Sequence, residues 1–279
     1  MRTFAAAGSI IVVAAIVLTF VLIKLNAKTP PPPGSSISNG HPAAAPAAVV
    51  GTVTSVPART LNTVGSGAFT GRIQTITGNP APLTANGKPE LLYIGAEFCP
   101  YCAAERWAMI VALSRFGTFK GLATVHSAVA NGAGNAEPDP NTPTWTFVHA
   151  TYSSPYLTFT PVEETTNIPD PSNGTYTPLQ TPTAAEQALV TKYVGPQGAI
   201  PFIDFGNKYL ISGVSYDPGV LDGLSWATIA TDLHNPSSPV TKAIGGTANY
   251  ITAAICKITK NAPAAVCNSA GAKAGAGSL

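Results

Sequence analysis

"YIGAEFCPYCAAERW", Tyr93 to Trp107, is the stretch on which the fold turns. An apolar run reaches Phe98 and meets Cys99 and Cys102, with Pro100 and Tyr101 between them. An alanine-rich, helix-forming segment follows. Gly87 and Pro89 mark the start of "KPELLYIGAEF", so 88–98 is expected to be a buried strand. Pro100 suits the first helical turn, where its missing N–H costs nothing. The helix is expected to run to about Phe116, with Trp107, Ile110, Val111 and Leu113 as its apolar band.

Disulfide exchange needs a nucleophilic thiolate at the surface and a second thiol close enough to resolve the mixed disulfide. A CxxC at a helix start supplies both. Cys99 would sit among unpaired N–H groups at the positive end of the helix dipole, which favours its thiolate. Cys102, one turn on and deeper, would resolve. Pro100 stiffens the turn, and Tyr101 adds a rim for a substrate. Glu97 and Glu105 flank the motif. Each is either a proton relay raised by burial or an ordinary solvated residue, at a strand end and on a helix surface respectively.

Four cysteines permit three pairings, and a local 99–102 pair leaves Cys256 with Cys267. That bridge is expected to be structural, pinning the C-terminal tail, with a second redox couple as the alternative. Zinc is the competing use of CxxC, but a closed site needs two more ligands. His41, His126, His149 and His234 are scattered, and Cys256 and Cys267 are loosely spaced. Copper held by two thiolates with His126 or His149 is a weaker option. The expected metal complement is none.

The rest of the 279 residues sets the context. Charged residues are 10%, the formal net charge is +2, and no basic cluster occurs. Nucleic-acid binding therefore has no electrostatic footprint. "FAAAGSIIVVAAIVLTFVLI", residues 4–23, carries no charge and is long enough to span a bilayer core. It is expected to be a retained membrane anchor within 1–27, since "LNA" at 25–27 is a poor cleavage site. Residues 28–58, rich in Pro, Ala, Gly and Ser, read as a tether. The folded domain is expected over 59–270, with a flexible tail at 271–279.

Within it, 61–77 is expected to be irregular or β, and 122–130 the second strand. The turn-rich 131–182 is expected to be an insertion carrying a strand at 156–164. Its aromatics, Trp145, Phe147, Tyr152, Tyr156 and Phe159, read as its packed side, with a groove beside Cys99 as the alternative. Asn173–Gly174–Thr175 matches a glycosylation sequon by pattern alone. Thr183 and Glu186 form a capping box ahead of a helix. "GAIPFIDFGNKYLISG", 198–213, reads as a hairpin turning at Gly206–Asn207, with Pro201 heading its first strand. Helices are expected near 225–234 and 239–258.

"CPYC" (99–102) and "IPFIDF" (200–205) together resemble the thioredoxin superfamily, in which CxxC starts a major helix and a cis-proline begins a later strand. The wider pattern with one N-terminal anchor resembles a prokaryotic thioredoxin-like family known as domain of unknown function 929. The resemblance covers about 85–270. It implies an α/β fold: a thioredoxin-like mixed sheet flanked by helices, with a long insertion before the cis-Pro strand and one N-terminal transmembrane helix. It also implies that Pro201 lies opposite the cysteines, with Ile200 beside an extended substrate, and that no organic cofactor is used.

An oxidising compartment accounts for the even cysteine count, and it places the domain outside the cell membrane on a single-pass anchor. The expected function is thiol–disulfide exchange on envelope protein thiols and disulfides, with a membrane electron carrier as a possible redox partner. CPYC leaves the direction of electron flow open. The rival is a non-catalytic binding module using 131–182, with an inert Cys99–Cys102 bridge.

Overall fold

A computed structural model describes residues 41–277 and 279. The expected anchor at 4–23 and the expected tether up to residue 40 lie outside the described residues. Among those described, no helix is long and apolar enough to cross a membrane.

The chain is mixed α/β. It opens with β1 (Ala43–Ala44), α1 (Ala47–Thr54), α2 (Ala58–Val64), β2 (Ile73–Thr75), β3 (Thr84–Ala85), β4 (Lys88–Gly95) and α3 (Pro100–Leu113). Next come β5 (Thr118–Lys120), β6 (Ala123–His126), β7 (Pro143–Thr146), β8 (Thr151–Ser153), β9 (Thr158–Glu163), β10 (Thr165–Asp170) and β11 (Thr175–Pro178). Helix α4 (Ala184–Val194), β12 (Phe202–Phe205), β13 (Tyr209–Ser212), α5 (Trp226–Asp232), α6 (Pro239–Ile258), α7 (Ala264–Cys267) and α8 (Ala270–Ala276) complete it.

Strand β4 is the centre of the main sheet. It pairs in parallel with β9 and antiparallel with β12, and β13 and β2 extend the β12 side. Alternation along β4 divides its side chains between two faces. Leu91 and Tyr93 join Ile203, Phe205 and Ile211 in one core with Trp107, Ile110, Ile244 and Ile251 of α3 and α6. Leu92 and Ile94 join Val162, Phe202, Leu210 and Val190 of α4 in a second. The sheet is thus covered by helices on both faces, as a parallel pair requires.

Helix α3 is buried at every position but Tyr101. Its alanines, 103, 104, 108 and 112, let neighbours approach from all sides. Helix α4 has the expected capping box: the Thr183 hydroxyl accepts from Glu186 N–H, and the Glu186 carboxylate accepts from Thr183 N–H. The hairpin turns at Gly206 and Asn207, with φ of 64° and 59°, a left-handed pair that suits Gly and Asn.

Several expectations change. Residues 43–58 are folded, not tether: β1 pairs with β6, and α1 buries Val53. In the expected irregular stretch, α2 takes Leu61 into the core. Strand β6 belongs to a separate three-stranded sheet with β1 and β7, so the 122–130 segment does not supply the neighbour of β4. That neighbour is β9, from inside 131–182, which is therefore part of the main sheet and not a detachable insertion. The aromatics of that segment pack inward, with Trp145 edge-on to Trp107 and Phe147 edge-on to Tyr93.

The expected flexible tail forms α8, capped by Ser269. Its small residues permit a close approach to α6. A Cβ at Gly271 would fall 2.5 Å from Asn249 Oδ1, and one at Gly275 would fall 2.4 Å from Asn249 O. Gly/Ala composition reads as flexibility in sequence; here it is what fits the contact. Cys256 and Cys267 are bonded at 1.98 Å and tie the end of α6 to α7.

Candidate functional site: a buried cysteine pair over a charged cluster

Strand β4 ends at Gly95, and the loop Ala96–Phe98 carries the chain to α3. Neighbouring segments hold this loop: Glu97 N–H donates to Thr165 O at 2.9 Å, and Ala128 N–H donates to Phe98 O at 2.9 Å. Cys99 then takes the N-cap position with extended backbone (φ −72°, ψ 120°), and Pro100 occupies the first turn. The Cys102 N–H donates to Cys99 Sγ at 3.2 Å, so the sulfur does what an N-cap oxygen does elsewhere.

Both cysteines are free thiols. A hydrogen bond shared with the Cys102 thiol is the main cause lowering Cys99 below the usual thiol range. Burial opposes it, and the N–H groups of Cys102 and Tyr101 and the charge of Arg106 assist. Burial pushes Cys102 well up, with the hydrogen bond to Cys99 and the charge there adding to it. The pair is asymmetric in the sense that exchange chemistry requires: one sulfur is shifted toward the thiolate and its neighbour toward the thiol.

Exposure departs from expectation. A surface thiolate was expected, yet Cys99 is only 4% exposed and Cys102 0%. Phe98 stacks on Tyr176 of β11, with centroids 4.2 Å apart and planes at 12°. Tyr176 donates its hydroxyl to Glu137 Oε1 at 2.5 Å. The β10–β11 hairpin therefore lies over the loop beside Cys99. Pro100 is buried too, while Tyr101 is half-buried.

The register of β12 on β4 pairs Phe202 with Ile94, which puts Pro201 at the end of β4 from which the chain runs to Cys99. The Ile200–Pro201 peptide is cis. Pro201 is buried, and Ile200 is half-buried beside it. Glu97 and Glu105 are not solvated residues: both are 0% exposed, and no carboxylate oxygen of either closes a hydrogen bond of ordinary geometry. Burial raises Glu97, opposed by the nearby Thr146 hydroxyl. Burial raises Glu105 to about 7, opposed by Ser215. Glu105 faces Ser215 and Tyr216, while the charges acting on Glu97 include Glu163 and Arg106.

Sequence reading missed three residues beneath the cysteines. Arg106 and Glu163 form an ion pair with both side chains at 0% exposure. Arg106 Nε donates to Glu163 Oε1 at 2.8 Å, and Nη2 donates to Glu163 Oε2 at 2.5 Å and to Ala96 O at 2.6 Å. Burial works against the Arg106 charge, but Glu163 and Tyr93 outweigh it. Tyr93 is wholly buried, and burial raises its hydroxyl well above the usual range. The one available hint was the absence of any other Arg or Lys between 89 and 114.

Among the described residues no group of three or more His, Cys, Asp or Glu is arranged to hold a metal. The four-cysteine zinc option is overturned, since Cys256 and Cys267 are bonded to each other. His126 packs edge-on against Trp226, and His149 is exposed in a left-handed turn. Two open clefts, of about 600 and 520 Å³, lie at Phe69–Tyr250 and beside the Gly206–Asn207 turn.

A mixed α/β chain with a CxxC at the head of its buried helix is the class that this geometry defines. Within it, a family model for a domain of unknown function, DUF929, matches residues 74–257, and the chain belongs to that family. No curated protein and no solved structure matches the chain.

Proposed function

We propose that this protein is a membrane-anchored, extracytoplasmic thiol–disulfide oxidoreductase with a thioredoxin-like fold. The observation that carries it is the asymmetry of the pair: Cys99 at the N-cap, lowered, with Cys102 N–H on its sulfur, and Cys102 one turn deeper, raised. Pro201 at the same end of β4 supports the likeness to the thioredoxin superfamily. The apolar 4–23 stretch supports the anchor, and the Cys256–Cys267 bridge supports an oxidising compartment.

The Cys99 thiolate attacks a client disulfide. One client sulfur joins Cys99, and the other leaves as a thiolate and takes a proton. Cys102 then attacks Cys99, releasing the first client sulfur as a thiol. The protein pair is oxidised and the client reduced; the reverse sequence oxidises client thiols. Clients are envelope proteins, and a membrane electron carrier would reset the pair. No organic cofactor is needed for these steps.

The burial of Cys99 favours a second reading, a binding module whose cysteines are inert. Reduction potential and insulin-disulfide turnover separate the two. Turnover with a lowered Cys99 pKa supports the oxidoreductase, while an ordinary thiol near 8.5 with no turnover supports the binding module. Cys102→Ala should trap clients covalently on Cys99.

A further inference from the structure

Two buried donors beneath the cysteines have no hydrogen-bond partner among the described residues: the Tyr93 hydroxyl and Nη1 of Arg106. Native interiors leave few polar atoms in that condition, and each calls for an explanation. Nη1 is the more telling, because the other two donor nitrogens of the same guanidinium are bonded to Glu163 and Ala96.

Their position suggests what they are kept for. Arg106 follows Cys102 by four residues in α3, so the two side chains leave one face of the helix with β-carbons about 5–6 Å apart. Tyr93 rises from β4 into the core that packs α3, and its ring centroid lies 5.9 Å from the Arg106 guanidinium carbon. Its hydroxyl lies over Gly95, where a Cβ would come within 2.1 Å of it. Gly95 is in register with Glu163 of β9, the partner of Arg106. The Ala96 N–H also bears on the Cys102 sulfur and favours its thiolate.

We propose that the Tyr93 hydroxyl and Arg106 Nη1 are positioning groups that form an anion hole for Cys102 Sγ, empty of partners in the dithiol and engaged when Cys102 ionises. This deepens the oxidoreductase reading and rests on it. The charges that bear on Cys102 are those of Cys99 and Arg106 from α3; Cys102 in turn bears on Tyr93 from β4, while Glu163 from β9 and Glu97 from the loop interact with Arg106.

In the resolving step Cys102 Sγ gives up its proton, and its electron pair attacks Cys99 Sγ of the mixed disulfide. The Cys99–Cys102 bond forms and the bond from Cys99 to the client sulfur breaks. The client sulfur leaves with the electron pair and takes up a proton. Charge crosses from Cys102 to the client, and the two donors stabilise it at its origin. A thiol that burial holds protonated needs such help only at that moment.

The full chain, reduced at Cys99 and Cys102, is mixed with 5,5′-dithiobis(2-nitrobenzoic acid). The first nitrothiobenzoate released marks attack by Cys99; the second marks resolution by Cys102. Tyr93→Phe should slow the second phase about tenfold at pH 7, the equivalent of one pKa unit, and leave the first within about twofold. Arg106→Lys, which keeps the charge and removes Nη1, should act in the same direction. Carbon-13 NMR of [3-¹³C]cysteine-labelled protein should place the Cys102 midpoint about one unit higher in Tyr93→Phe, with Cys99 little moved.

Tyr93→Phe deletes an unpartnered hydroxyl, so its melting temperature should hold or rise. An unmoved Cys102 midpoint and second phase in both variants overturn the proposal, as do equal losses in both phases with falling stability. Should the wild-type chain release no nitrothiobenzoate, the exchange reading fails by itself, and the Cys102 midpoints still decide the anion hole.

Discussion

Arg106 and Glu163, fully buried and 57 residues apart, face each other through two parallel hydrogen bonds, Nε to Oε1 at 2.8 Å and Nη2 to Oε2 at 2.5 Å. One comes from the helix that carries the cysteines and the other from the strand beside β4. The pair therefore fixes the helix against the sheet beneath the two cysteines.

Breaking that pair from one side leaves an uncompensated buried charge. Glu163→Gln is expected to cost about 3–5 kcal/mol in urea unfolding, whereas replacing both partners by apolar residues of similar volume should cost far less. Equal losses in the single and double variants would count against a buried ion pair.

Cys99 is expected to alkylate with a pH midpoint below the roughly 8.5 of a free thiol, because the thiolate is the reactive form and Cys102 stabilises it. Iodoacetamide rates from pH 4 to 10 measure this. Cys102→Ala removes the shared hydrogen bond and should move the midpoint upward; no movement would mean that Cys102 does not support the thiolate.

Tyr176 packs against the residue that precedes Cys99. Its stack on Phe98 holds the β10–β11 hairpin over the loop, and such a stack is worth about 1 kcal/mol. Tyr176→Ala is therefore expected to raise the Cys99 alkylation rate about fivefold, 1.36 kcal/mol being tenfold, while leaving its pH midpoint in place. A shifted midpoint at constant maximal rate would reveal an electrostatic role instead.

Glu105 sets a stability gradient with pH. Its folded pKa, about 7, lies above the unfolded value near 4.3, so the native state holds the extra proton between them. Its favourable contribution is complete below the unfolded pKa and is lost as pH rises through about 7. Glu105→Gln should match the wild type most closely near pH 4 and gain on it by about 1–3 kcal/mol by pH 8, by urea midpoint. Parallel profiles would exclude the carboxyl as the source.

The Cys256–Cys267 bridge closes a short loop, with a sequence separation of 11. Replacing both by Ala is expected to lower stability by about 3 kcal/mol and leave the Cys99 alkylation profile unchanged. A changed profile would instead make it a second redox couple.

Local chemistry was readable in the chain alone. The CxxC at a strand–helix junction, the capping box at Thr183, the Gly206–Asn207 turn and helix 239–258 each rest on signals a few residues long. These signals act through backbone sterics and nearest neighbours, so a window of sequence contains them. The domain ends were misread for the same reason: alanine-rich segments at 43–58 and 271–279 carry no local mark of the surfaces that they cover.

Tertiary structure alone decided the rest. Nothing local says that β9 rather than β6 lies beside β4, since parallel pairing is a contact between distant segments. Nor does sequence reveal that Glu97, Glu105 and Arg106 are all buried, because a charged side chain is taken for solvated until a partner or enclosing surface arrives from elsewhere. Arg106 obtains its partner from Glu163, and Phe98, next to Cys99 in the chain, obtains its stacking partner from Tyr176. The motif determines which two sulfurs stand together and lowers Cys99 through its neighbour; the long-range packing supplies the burial that raises Cys102.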